Sequence, residues 1–206
     1  TEQRGAEALA RRKDENILAT LEAGAVSENE ETLPAGNEWD ADGVDMVDEL
    51  WDMWTDILVN APLTDMDINE FAVILPVEIW AKLNQVELID NVQQRLRDYL
   101  GQTFGFSFYP TKMGMHEDHQ FDLQDSAIML IPGDDTAVHA TLDPEYARER
   151  GVPLTEQQRQ FARGEEWLVK QWFNTKVYEH ESGSPNQSPR ISVRKNINTN
   201  SSARGS

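Results

Sequence analysis

The 206-residue sequence contains no cysteine, which excludes disulfides, thiolate metal sites and cysteine nucleophiles together. Cations are scarce as well: 18 Lys plus Arg stand against 37 Asp plus Glu, for a net charge of -19. A phosphate backbone would be repelled, because sequence-independent nucleic-acid binding draws on Lys and Arg to displace counterions. Long apolar runs are missing. None approaches the roughly 20 residues of a membrane helix, and no charged-then-apolar leader opens the sequence, so no membrane association is expected. Also missing are a glycine-rich phosphate loop and a G-x-S-x-G nucleophile elbow. The chain is accordingly expected to be no enzyme, with no catalytic residue and no cofactor.

What is present begins with acidity. Self-repulsion at this charge is screened at high ionic strength, so the composition suits a protein solvated in concentrated salt. The six Trp and seven Phe all fall between residues 39 and 173, which places the core there. The sequence starts at Thr1 and enters helix-forming residues at once; the expectation is a truncated or processed front part.

Residues 6–23 are rich in Ala, Leu, Glu and Arg, with a thin apolar stripe of Ala6, Leu9, Ala10, Ile17 and Leu21 and with Gly24 available after the last turn. This predicts a long helix with little to bury by itself. An acidic stretch holding Pro34 and Gly36 reads as a connector. From Asp42 to Asn60, the residues Val47, Leu50, Trp51, Trp54, Ile57 and Leu58 share one helical face, which predicts an amphipathic helix with both tryptophans in the core.

Phe71 to Leu75 form a continuous apolar run stopped by Pro76, the pattern of a strand covered on both faces, and Pro76 suits the first position of a following helix with Ile79, Trp80 and Leu83. Asp90 is expected to cap another helix that Gly101 ends. Phe104, Phe106 and Phe108 alternate with small or polar residues, and Ala127 to Ile131 repeat the buried run; both predict strands. Residues 144–163 read as a polar surface excursion. Residues 166–179 predict one long strand, with Ile191 to Ile197 as its partner after a Gly183-Ser184-Pro185 turn, and the end from Asn198 reads as disordered.

One cluster has metal-ligand composition: His116, His119 and Asp122, in the run His116-Glu117-Asp118-His119. Two imidazoles and a carboxylate suit zinc with an open position. Gly114 and the lack of helical periodicity leave them without the fixed i, i+4 presentation of paired ligands, and a solvated loop is the plainer expectation; no metal is assigned. Asp134-Asp135 after Pro132-Gly133 reads as a turn.

The order of these parts resembles that of the capsid proteins of tailed double-stranded DNA viruses, which share the Hong Kong 97-type fold with encapsulin shell proteins. Arg4-Gly5-Ala6-Glu7-Ala8-Leu9-Ala10-Arg11-Arg12-Lys13-Asp14-Glu15-Asn16-Ile17 looks like that family's spine helix. Val44 to Leu58, Phe71 to Leu83, Asp90 to Leu100 and Asp125 to Pro132 look like the parts of its axial domain in order. Trp167 to Tyr178 and Ile191 to Ile197 are similar to its closing peripheral strands. The N-terminal arm and most of the extended loop have no counterpart.

The resemblance implies an α+β fold divided into residues 1–26 (end of the extended loop and spine helix), 27–43 (acidic connector), 44–164 (axial domain), 165–197 (peripheral-domain strands) and 198–206 (disordered tail). It implies a major capsid subunit that self-assembles, as pentamers and hexamers, into an icosahedral shell around double-stranded DNA, assembled in a host cytoplasm. Decoration, portal or scaffold proteins are further partners, and packaged DNA is held without specific binding. An encapsulin-like compartment enclosing a cargo enzyme is the alternative; a metal-dependent hydrolase and an acidic interaction protein are the readings from other classes. Expected assembly contacts are Arg11, Arg12, Asp14 and Glu15 on the outer side of the spine helix, and His116, Glu117, Asp118 and His119 near the axial tip.

Overall fold

A computed structural model describes residues 2–41, 43–63, 70–85, 96–111, 125–133, 136–141, 155–161, 164–169, 173–178 and 186–199. Its centre is a five-stranded mixed sheet in the order β1-β9-β4-β2-β3, built from β1 (Glu30–Thr32), β2 (Phe71–Pro76), β3 (Phe106–Thr111), β4 (Ser126–Leu130) and β9 (Ile191–Lys195). β2 and β3 run parallel and are joined through helices α3 (Val77–Leu83) and α4 (Leu96–Phe104). β4 lies antiparallel to both β2 and β9, and β1 adds to β9 in parallel.

The apolar run of β2 is needed because both faces of the sheet are covered. Phe71, Val73 and Leu75 point to one core with Ala127, Met129 and Ile131 of the β4 segment, and α2 (Met46–Asn60), α3 and α4 close it. Ala72, Ile74, Ile128, Leu130, Ile191 and Val193 point to the other core, closed by Leu18 and Leu21 of α1 (Glu2–Glu22) and by Val177. Val177 belongs to a ribbon of β5 (Ala137–Thr141) and β8 (Phe173–Val177). A second ribbon pairs β6 (Thr155–Phe161) with β7 (Gly164–Val169).

Several local expectations change. Residues 27–43 are more than a connector: β1 extends the sheet, and Leu33 and Trp39 are buried in the core. Asn29 is fully buried, donating from Nδ2 to the carbonyls of Pro189 at 2.7 Å and Ile191 at 3.1 Å while its Oδ1 accepts from Asn60 at 2.6 Å. Where one long strand was expected, Gly164–Val169 and Phe173–Val177 pair in separate ribbons, and Ile191–Lys195 pairs with β4 and β1 instead of with either. Part of the stretch read as a polar excursion, Thr155–Phe161, is a strand.

The helix expected to end at Gly101 runs on to Phe104. A Cβ at Gly101 would sit 3.3 Å from the Phe106 carbonyl oxygen, so this glycine permits the close approach of β3, and the helix stops instead at Gly105, whose φ is +69°. Gly24 follows the same logic at the end of α1: an added Cβ would meet Val177 Cγ2 at 2.6 Å and the Thr20 carbonyl oxygen at 2.9 Å. Pro76 is the last strand residue and the N-cap of α3, one position earlier than expected.

Candidate assembly surface

Among its described side chains, helix α1 is anchored toward its C-terminal end. Leu18 and Leu21 are buried, Asn16 Oδ1 accepts from Thr175 Oγ1 at 2.7 Å, and Ser126 Oγ donates to Glu22. Arg11 precedes Leu18 by two turns and so shares its face, yet Ala10, Arg11, Arg12 and Asp14 are all exposed. This part of the helix overhangs the sheet. Three of the expected contact residues, Arg11, Arg12 and Asp14, are therefore presented to solvent.

Glu15 is a correction: its side chain keeps 13% of its exposure, and Arg12 Nη1 reaches it at 3.4 Å. It lies against the body instead of on the outer side. His116, Glu117, Asp118, His119 and Asp122 lie outside the described residues, as do Asp134 and Asp135. Among the described residues no group of three or more His, Cys, Asp or Glu could hold a metal ion, and no helix is long and apolar enough to cross a membrane.

The second surface is on α2. Asp45 caps this helix by accepting from the Val47 amide at 2.9 Å, three residues later than an Asp42 start would have it. Met46, Leu50, Met53 and Ile57 are its buried residues. The buried face is thus rotated from the expected one, and Trp51 is 44% exposed instead of core. Trp51 lies tilted against Trp54 at 4.7 Å and meets Phe104 edge-on at 5.1 Å, and Phe104 meets Tyr99, itself 38% exposed, at 6.0 Å. Asp48, Trp51, Asp52, Thr55 and Val59 follow one another along a single face of the helix, and Val59 is also exposed.

The helix holds Asp48, Glu49, Asp52 and Asp56 and not one Lys or Arg. Among the described residues, a cation reaches it from β9. Arg194, 3% exposed, places Nη2 at 2.8 Å from Asp56, and its Nε at 3.4 Å from Glu31 and 3.8 Å from Glu49. Burial raises the Glu49 carboxyl above its ordinary range; Arg194 pulls it down, and Glu31 and Asp52 push it up. One guanidinium therefore ties β1, α2 and β9 together and partly offsets the repulsion along α2.

No known family pattern matches the sequence, and no curated protein matches it either. Solved structures do match in fold. The crystal structure of a virus-like particle from Pyrococcus furiosus superimposes with a TM-score of 0.54 at 11% identity, covering 92% of this chain and 64% of that one. A phage-related protein from Bordetella bronchiseptica RB50 superimposes with a TM-score of 0.52 at 9% identity, covering 85% of this chain and 58% of that one. The chain thus spans less than two thirds of the length of either, and it has the α+β, capsid-like fold that these proteins share.

Proposed function

We propose that this chain is a structural, non-catalytic subunit that self-assembles into a closed shell, as the major capsid protein of a tailed virus, with pentamers and hexamers enclosing double-stranded DNA. The observation that carries the reading is the fold itself, shared over 92% of the chain with a protein described as a virus-like particle. The overhanging part of α1 and the exposed aromatic face of α2 suit a subunit that completes its burial against symmetric neighbours. The net charge of -19 suits a container wall to which packaged DNA does not adhere. Assembly would take place in a host cytoplasm, with decoration, portal or scaffold proteins as further partners.

A second reading, an encapsulin-like compartment around a cargo enzyme, is favoured by the same virus-like particle. Purified native particles separate the two by their contents. Double-stranded DNA inside a closed shell supports the capsid; a single co-purifying enzyme and no nucleic acid supports the compartment. A stable monomer in both low and high salt, with no closed particle, would remove both.

A further inference from the structure

The two surfaces described above are complementary and cannot meet within one chain. The aromatic face of α2 and α4 covers one side of the central sheet, while α1 is anchored against the other. The first carries exposed Trp51 and Tyr99 and, beside Trp51, the carboxylates of Asp48 and Asp52. The second presents exposed Arg11 and Arg12, the latter also reaching Glu15 at 3.4 Å, with half-buried Lys13 next to them, in a chain with only 18 Lys plus Arg. Elsewhere among the described side chains, Arg190 and Arg194 are buried, Lys195 is paired with Glu30 at 2.6 Å and Lys82 reaches the Ala41 carbonyl at 3.4 Å, while Lys176 on β8 is a single exposed cation. A guanidinium packs well on an indole face, the more so where carboxylates stand next to it.

We propose that the exposed face formed by Trp51 and Tyr99, with Asp48 and Asp52 beside it, receives the overhanging Arg11-Arg12-Lys13 segment of α1 from a second copy of the chain. The contact is heterologous, joining one side of the sheet in one copy to the other side in the next, so it propagates from subunit to subunit and closes only as a ring or shell. It deepens the shell reading by naming one subunit contact, and it rests on that reading only for closure.

Two variants test it, each altered at exposed residues. Arg11→Gln with Arg12→Gln neutralises the arginines and leaves the aromatic face intact; Asp48→Lys with Asp52→Lys makes the face repel cations and leaves α1 intact. Each variant alone is expected to lose this association. An equal mixture should form a one-to-one dimer, because only one productive contact is left, and sedimentation velocity reads it directly. Its dissociation constant should rise roughly tenfold or more between 0.1 M and 1 M salt, as the screening length falls from about 10 Å to about 3 Å. Trp51→Ala in the Arg11→Gln/Arg12→Gln partner should weaken the dimer about tenfold or more.

A mixture that shows no dimer, or either variant assembling as the unaltered chain does, overturns the proposal whether or not shells form. A one-to-one dimer from a chain that never forms closed particles leaves this contact standing and removes the shell reading instead.

Discussion

Replacing Arg194 with Met keeps most of the side-chain volume and removes the guanidinium that Asp56, Glu49 and Glu31 share. Removing one partner of a buried ion pair costs about 3–5 kcal/mol, because the remaining charge is left desolvated. Here the Asp56 and Glu49 side chains retain 29% and 22% of their exposure, so water screens part of the loss. Glu31, at 57%, adds little. The lower end of the range applies, about 3 kcal/mol, which in a chain of this size lowers Tm by roughly 6–12 °C. Urea and thermal unfolding of the unassembled chain, at matched concentration, measure it, since assembly would add stability by mass action.

The loss should also depend on pH. Glu49 is held above its ordinary value of 4.5. An acid with a higher pKa in the folded state binds more protons there, so its contribution is fully present below its unfolded pKa and is lost as pH rises through the folded one. Arg194 pulls that folded value down, so without it the rise grows and the penalty above it deepens. Arg194→Met should therefore cost more at about pH 7 than at about pH 5, and adding Glu49→Gln should recover part of the difference at the higher pH. A loss under about 1 kcal/mol, or one equal at both pH values, would refute the reasoning.

Three further substitutions test the fold that carries the surfaces. Gly24→Ala should destabilise by about 1–3 kcal/mol in chemical denaturation, because its methyl group must displace Val177 or the Thr20 carbonyl. Asn29→Ala should cost about 2–3 kcal/mol by the same assay, since it leaves two buried carbonyls and the Asn60 amide without their partner. Asp45→Ala should cost about 1 kcal/mol through loss of the α2 cap, with Asp45→Asn close to unchanged.

The continuous apolar runs were the most legible part of the sequence. Phe71 to Leu75 and Ala127 to Leu130 lie in strands covered on both faces, because helices occupy both sides of the sheet. The long first helix was legible from composition, and Leu21 of its expected stripe is buried with Ile17 packed beside it; Leu18 was not foreseen, and Ala10, assigned to the stripe, is exposed. In α2 the indoles drew the expected face toward themselves. Met46 and Met53 compete for the same core with flexible, unbranched side chains, and they leave Trp51 at the surface.

The alternation of Ile191 and Val193 with Ser192 and Arg194 has the look of a strand with one polar face. That face in fact lies under α2, where Ser192 Oγ donates to the Asn29 carbonyl at 3.2 Å and Arg194 meets its carboxylates. Pattern alone cannot distinguish a polar face met by water from one met by buried partners. Pairing across long separations was equally hidden: β1 and β9 are joined by a register that pairs Glu30 with Val193. The proposed subunit contact was half legible. The cations of α1 and the spacing of Asp48 and Asp52 stand in the sequence, whereas the exposure of Trp51 and Tyr99 depends on packing.

The central claim, that copies of this chain close into a shell, is tested most directly by the size and shape of the native particle that contains it, by sedimentation and negative-stain microscopy in low and high salt. The account predicts closed, hollow particles of uniform diameter in at least one of the two conditions. A compact monomer or small oligomer in both would contradict it.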